Sequence, residues 1–400
     1  MPKASSSLRK TGATAPTLLM IIVIALLTAR PACSDTLVVP DDYPMISFAI
    51  EMAQPGDTVL VKPGTYNERI SMKEGITLVS YAGNDGNVEV PGPGHKKVLR
   101  RTLRTIIDGS GIEEAGYLIS FPSETTEEMV VDGFTFRNMP KYVSSLQLFL
   151  MEIRGCSPKV VNCIFTGNKS GGGILSTGLG VGMGPRLKTT ARPLIENNII
   201  YNNMGTGISN GSNSAAIIRN NEIFNNRFPD TPQKHQFAPA IGIREQARPL
   251  IENNLFYRNE IGIGAINFDA AQGETANDDL VIRGNDISEN LMGGIGIRGI
   301  GGAHIRNRVV IEHNNIYSNM EAGIRCTKID RATIVFNRIY RNSKSGISLW
   351  DVGQGIIERN EIFGNLTSGI RLLDVQSVSL KGNSIHENVT TGIDFIGWKK

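Results

Sequence analysis

The sequence predicts an all-β chain: one right-handed parallel β-helix, a solenoid of short strands with a short capping helix at its N-terminal end. Three observations predict it. The pattern N-x-I-x-x-N-x-x-x-G-I recurs through the second half of the chain. Its last copies start at Asn314, Asn337, Asn360 and Asn383, each 23 residues after the one before. The stretches between the Asn and Gly positions alternate in polarity with the period of a strand and show no helical period.

The elements divide into three regions. Residues 1–34 read as a signal peptide, with Lys3, Arg9 and Lys10 ahead of an apolar run from Leu18 to Leu27 and small residues at Ala32 and Ser34 before Asp35. The run is too short for a span of about 20 residues, so the segment reads as an export signal. Arg30 stands where a lipid-attachment motif needs an aliphatic residue. Residues 35–130 form the N-terminal cap and first coils. Tyr43 to Ala53 reads as a short amphipathic helix beginning beside Pro44, and Gly56 to Tyr66 as a strand between turns. A helix over the first coil would shield its open edge. Residues 131–400 carry the Asn/Gly repeats. Further copies begin at Asn198, Asn285 and, more loosely, Asn221, Asn254 and around Cys163.

Each repeated position has a physical role in such a coil. Runs such as Thr333-Ile334-Val335-Phe336 supply strands with apolar residues pointing in. Asn and Gly tolerate the left-handed backbone that sharp corners require. Stacked coils, about 4.8 Å apart, would align Asn337, Asn360 and Asn383 as one amide ladder and Asn342, Asn365 and Asn388 as another. Ile339, Ile362 and Ile385 would stack inside, as would Ile347, Ile370 and Ile393. The repeats run almost to the C-terminus, where Trp398 is a candidate plug; an open edge there favours end-to-end self-association.

Composition narrows the partners. The 400 residues hold 41 basic and 38 acidic residues, a formal charge of +3. The leader holds Lys3, Arg9, Lys10 and Arg30 and no acid, so the remainder carries 3 − 4 = −1. No basic field remains for a nucleic-acid partner, and the membrane is engaged only by the signal segment. Beyond Cys33 the cysteines are Cys156, Cys163 and Cys326, an odd number that implies no disulfide framework.

Residues 36–70, Gly75-Ile76-Thr77-Leu78, Thr105 to Gly109 and Val131 to Asn138 closely resemble the amino-terminal region of pectin-lyase-like right-handed β-helix proteins. The Asn/Gly coils resemble the parallel β-helix repeats of polysaccharide lyases, carbohydrate-modifying epimerases and the periplasmic maturation factor of nitrous oxide reductase. The resemblance covers about residues 36–396 and implies the fold; it leaves lyase, hydrolase, esterase, epimerase and binding activities open. The N-T-D, G-H-G and R-I-K signature of polygalacturonase-like hydrolases is absent, as is the Asp-Pro-His triplet of alginate epimerases. The Asp-Asp pairs are Asp41-Asp42 and Asp278-Asp279. The five histidines show no metal-ligand spacing, so no metal is assigned; calcium suits a carboxylate-lined site, but no motif points to it.

One surface pattern remains. The residue after the inward Ile of each G-I pair faces out, which selects Arg244, Arg298 (after a register shift of two), Arg325, Ser348, Arg371 and Asp394. Asp351 and Asp374 follow on the same strand, with Asp330 near their register. Arg244, Arg298, Arg325 and Arg371 are the candidate ligand-binding residues. Arg325, Asp351, Arg371 and Asp374 are the candidate catalytic set, since an arginine beside a carboxylate is how a β-elimination site binds an acidic sugar and eases removal of its C5 proton. Exposed ion pairs between coils, each worth about 0–1 kcal/mol, are the competing explanation. Extra residues near 175–190, 265–278 and 299–308 follow the G-I strand and would wall a groove beside Arg244, Arg298 and Arg325; those at 227–239 leave from another corner.

The sequence therefore reads as a secreted or periplasmic protein that binds, and in some readings modifies, an acidic polysaccharide. The alternatives are a carbohydrate lyase or epimerase, and a non-catalytic structural or assembly protein of the cell envelope.

Overall fold

The computed structural model describes residues 34–397, apart from 114–115, 126–127, 140–147, 170, 178–189, 212, 229–236, 245, 269–279 and 300–306. The leader, Trp398, Asp278-Asp279 and most of the residues expected to wall a groove lie outside the described residues.

Successive coils stack in parallel register into two long sheets, of 12 and 22 strands among the described residues. The coil that begins at Asn314 shows how the repeat folds. A three-residue strand, Asn315–Tyr317, forms the short-strand face. The chain turns at Ser318 and Asn319, then enters the twelve-residue strand Ile324–Val335. That strand bends at Lys328, so its first part lies on the Gly-Ile face and its second part on a third face. Inward residues of all three faces make one continuous core, in which Ile316, Ile339 and Ile362 stack and Ile324, Ile347 and Ile370 do likewise.

Two asparagine ladders run along the core. The backbone N–H and Nδ2 of Asn337 both donate to Oδ1 of Asn360 (2.9 and 3.0 Å), and Nδ2 also donates to the carbonyls of Ile311 and Val335. The pattern extends from Asn198 to Asn383 and, at the second corner, from Asn168 to Asn388. Each amide thereby satisfies corner backbone groups that burial would otherwise leave unpaired. Ladder partners are 33, 31 and 29 residues apart between Asn221 and Asn314 and 23 thereafter, so insertions leave through the loops and spare the ladder.

The left-handed corners differ from expectation. The ladder asparagines do not adopt positive φ; the residue before each one does, including His313 (55°), Phe336 (56°) and Arg359 (55°). Phe336 is consequently outside the core, 43% exposed and stacked on His313 with ring centroids 4.9 Å apart. The ladder amide must point along the axis, so the sharp bend moves one residue earlier.

At the N-terminal end a helix, α1 (Ile46–Met52), buries Ile46, Ala49 and Ile50 in the core. The Glu68 carboxylate accepts hydrogen bonds from the N–H groups of Ile46 and Ser47 and so satisfies its first turn. The first coils pair Thr36–Val39, Thr58–Val61, Thr77–Ser80 and Val130–Asp132 in succession.

A strap of residues 82–104 leaves these coils and lies over the outside of the short-strand face. It comprises an antiparallel hairpin, Glu89–Pro91 with Lys97–Leu99, and a one-turn helix, α2 (Arg100–Arg104). Val90 and Val98 pack on Ile164, Ile199, Phe224 and Tyr257. The buried Arg101 guanidinium binds the Asp132 carboxylate through two 2.8 Å hydrogen bonds and anchors the base. At the tip, Lys96 donates to Oδ1 of Asn197 (2.7 Å) and to the Asn220 carbonyl. Desolvation outweighs the neighbouring carboxylates and holds the Lys96 ammonium below the usual lysine range.

Candidate functional site

The Gly-Ile face carries the outward residues singled out by sequence. Strand register places Arg325 opposite Ser348, Ser348 opposite Arg371, and Arg371 opposite Asp394, in consecutive coils. Arg325, Ser348 and Arg371 line one concavity of about 80 Å³ together with Glu321, Lys344 and Thr367. The Glu321 carboxylate pairs with Lys344 at 2.7 Å and with Arg325 at 3.8 Å, and Arg371 pairs with Asp394 at 3.7 Å. The concavity thus holds three cationic side chains, two of them paired with Glu321 and the third with Asp394, and both guanidinium groups are about half exposed.

Arg244 and Arg298 stand in a neighbouring column. Arg244 is opposite Ile266, Ile266 opposite Arg298, Arg298 opposite Thr327 and Thr327 opposite Trp350. In the coil of Arg244 the inward Ile of the repeat is Ile241, preceded by Ala240 rather than Gly, so the Gly242-Ile243 pair lies two residues further along. The single arginine stripe expected from sequence is therefore two columns, two residues apart on the strand. Along the first column, the coils of Arg244, Ile266 and Arg298 present Gly242, Gly264 and Gly296 instead of side chains.

Asp351 and Asp374 occupy the bend between the Gly-Ile and third faces, with φ of 54° and 51°. Lys328 and Gly397 take the same left-handed position in the flanking coils. Asp330 lies opposite Gly353's position in the stack, two residues beyond Lys328, and so falls outside the Asp351 column. Among the described residues neither Asp351 nor Asp374 makes an ion pair with Arg325 or Arg371. No cluster of three or more His, Cys, Asp or Glu side chains suited to a metal occurs among the described residues.

Other surface arginines mostly bridge coils: Arg219 to Glu196 (2.8 Å), Arg283 to Glu252 (2.7 Å), Arg258 to Glu289 (2.7 Å) and Arg338 to Glu361 (2.8 Å). Arg244 and Arg298 have no such partner among the described residues. Sequence reasoning missed the strap and an outer aromatic ladder on the short-strand face, where Tyr317, Tyr340, Phe363 and His386 stack at 4.9 to 5.2 Å. The signal for the ladder was present, since an aromatic or His follows the inward Ile at fixed spacing in each of these coils.

A solenoid of this geometry defines a class, and the sequence comparison agrees. The family model described as the right-handed β-helix region matches residues 153–328 and 275–399, more than half of the chain, which belongs to that family. Comparison with curated proteins returns no match. Among solved structures the chain is similar to the A-module of the mannuronan C-5 epimerase AlgE6 of Azotobacter vinelandii, with a TM-score of 0.59, 14% identity, and coverage of 88% of this chain and 95% of that one. It is also similar to PfbA, a surface adhesin of Streptococcus pneumoniae (TM-score 0.54, 15% identity, 90% and 93% covered). A third is the catalytic unit of a thermostable α-1,3-glucanase from Streptomyces thermodiastaticus (TM-score 0.52, 14% identity, 90% and 70% covered). At these identities the likeness is one of fold.

Proposed function

We propose that this chain is an exported protein that binds an acidic polysaccharide along its Gly-Ile face. The observation that carries the reading is the concavity in which Arg325 and Arg371, each one coil from Ser348, stand with Lys344, where Glu321 pairs with Lys344 and Arg325 and Asp394 of the next coil pairs with Arg371. Guanidinium groups take carboxylates through paired hydrogen bonds, and these half-exposed ones retain donors for a ligand. Arg244 and Arg298 extend the cationic surface along the same face. The solved structures of similar fold include an epimerase and a glucanase named for polysaccharides and a surface adhesin. Binding is favoured over elimination or epimerisation chemistry because Asp351 and Asp374 stand at the left-handed bend and, among the described residues, form no ion pair with either arginine. The leader at residues 1–34 supports a periplasmic or secreted location.

A second reading, an envelope scaffold or assembly factor, is favoured by apolar side chains left open on the last described coil, where Phe395 is 49% and Val389 69% exposed.

The test is binding of residues 35–400 to acidic and neutral polysaccharides, with and without calcium. Selective binding to uronate-containing chains is expected, weakened about tenfold or more by Arg325→Ala or Arg371→Ala, given roughly 1.5–3 kcal/mol for a hydrogen bond to a charged group. Equal indifference to every glycan would transfer the case to the scaffold reading.

A further inference from the structure

We propose that the third face of the solenoid joins two copies of this protein, side by side and parallel, about a two-fold axis that runs along the stack of coils. The face is built from strands such as Leu194–Glu196, Leu250–Glu252 and Arg308–Glu312. Its inward residues, among them Ile195, Ile251 and Ile311, belong to the core.

The residue before each inward isoleucine points out. In five consecutive coils it is Leu194, Ile217, Leu250, Val281 and Val310, in direct register, and Thr333 and Ile356 continue the column. Each keeps part of its surface open to solvent, and the aliphatic ones pack into neither buried cluster. The fold does not demand apolar residues at outward positions, since the matching column of the Gly-Ile face carries Gly242, Gly264, Gly296, Arg325 and Ser348. A contiguous apolar stripe at a surface marks a contact site. With coils about 4.8 Å apart and residues about 3.3 Å apart along a strand, seven coils by five residues give roughly 1,100 Å² over two copies, near the lower bound for a specific interface.

Charge at the edges of the stripe identifies the occupant as a second copy. Two residues before the stripe stand Arg192, Arg248 and Arg308, and two residues after it stand Glu196, Glu252 and Glu312, in the same three coils and all at least partly exposed. A contact between identical faces requires a surface that complements itself. A two-fold axis along the solenoid exchanges left and right across the face and keeps every coil at its own height. It therefore lays stripe on stripe and sets each arginine opposite the glutamate of the same coil in the other copy. Turning one copy end for end would instead run the arginine edge against itself, like charge on like. Glu196 and Glu252 already accept from Arg219 (2.8 Å) and Arg283 (2.7 Å) of the next coil, and a carboxylate has acceptor sites for a further donor.

The test is sedimentation equilibrium of residues 35–400 across the micromolar range, where a small interface is expected to hold a dimer in exchange with monomer. Leu250→Lys combined with Val310→Lys sets two charges in the stripe without touching the core. It should weaken the dimer about tenfold or more, with the circular dichroism spectrum unchanged. Glu312→Arg should weaken it likewise, by facing Arg308 of the other copy with a like charge. Arg308→Glu combined with Glu312→Arg should restore association, because the exchanged pair is complementary again. Monomer at every concentration, or a dimer indifferent to both stripe lysines, would overturn the interface. Failure of the exchanged pair to restore a dimer that Glu312→Arg had weakened would overturn the parallel two-fold arrangement.

Discussion

The carboxylate of Glu222 accepts a hydrogen bond from the backbone N–H of His95 at 2.6 Å, across 127 residues of sequence. A second, from the N–H of Lys96 at 2.9 Å, and a third, from the Tyr257 hydroxyl at 2.8 Å, complete its shell. Glu222 is fully buried beneath the strap, and burial together with this carboxylate pushes the Tyr257 hydroxyl above the ordinary tyrosine range. Glu222 therefore latches the backbone of the strap tip, beside the Lys96 side-chain bonds to Asn197 and Asn220. Glu222→Ala should release it, because each buried donor left unpaired costs about 1–3 kcal/mol. Hydrogen exchange is the check: the amides of His95 and Lys96 should exchange at least tenfold faster, while that of Asn337 is unaltered.

The asparagine ladder makes a graded prediction. Asn337 is buried and its side chain serves Asn314, Asn360, Ile311 and Val335, whereas Asn383 at the open end is partly exposed. Asn337→Ala leaves several buried groups unpaired and should cost about 2 kcal/mol or more, and Asn383→Ala distinctly less. Denaturant midpoints of the two variants would show it; equal midpoints would mean that the ladder relaxes around a gap.

Asp351 makes a prediction that separates backbone from chemistry. Its left-handed φ costs an ordinary L-residue about 1–2 kcal/mol, and Gly397 shows that glycine suits the same bend. Asp351→Gly should keep stability within about 1 kcal/mol and keep glycan binding, whereas Asp351→Val should destabilise by about 1–2 kcal/mol. Thermal melts and uronate binding of both variants decide it. Loss of binding in a stable Asp351→Gly protein would return this carboxylate to the site.

The thiols give a pH-dependent prediction. Burial pushes Cys163 and Cys326 up to about 12 and Cys156 up to about 11. Only the thiolate reacts, so at pH 8 Cys163 and Cys326 offer far less of it in the native protein than an unshifted thiol, of which roughly a quarter is ionised. Iodoacetamide labelling with peptide mapping should leave both unmodified in the native protein and modify both in denaturant. Because protonation favours the folded state here, stability conferred by the raised values is present at neutral pH and is lost only as pH climbs from the ordinary thiol range towards the folded values.

The legibility of the site varied with what separates its residues. Arg325, Ser348 and Arg371 follow one another at an uninterrupted interval of 23, so counting alone puts them in one column. Arg244 and Arg298 lie among coils lengthened by insertions, and Ala240 replaces the glycine that marks the strand start. Strand side chains alternate with a period of two, so a reading two residues off still faces out but joins the wrong column. Asp351 looked like a neighbour of the arginines because both lie on one strand; the bend carries it away.

Read alone, the chain specifies its coil, its core stacks and its ladders. Each depends on Asn, Ile or Gly meeting a local requirement that recurs at constant spacing, and stacking turns a local rule into a global one. The strap over the short-strand face, the division of the arginines into two columns and the use of His313, Phe336 and Arg359 as left-handed corners were decided only by the packed structure. They depend on how insertions of unequal length are absorbed and on which distant groups, such as Glu222 and His95, come within hydrogen-bonding reach once the coils have stacked.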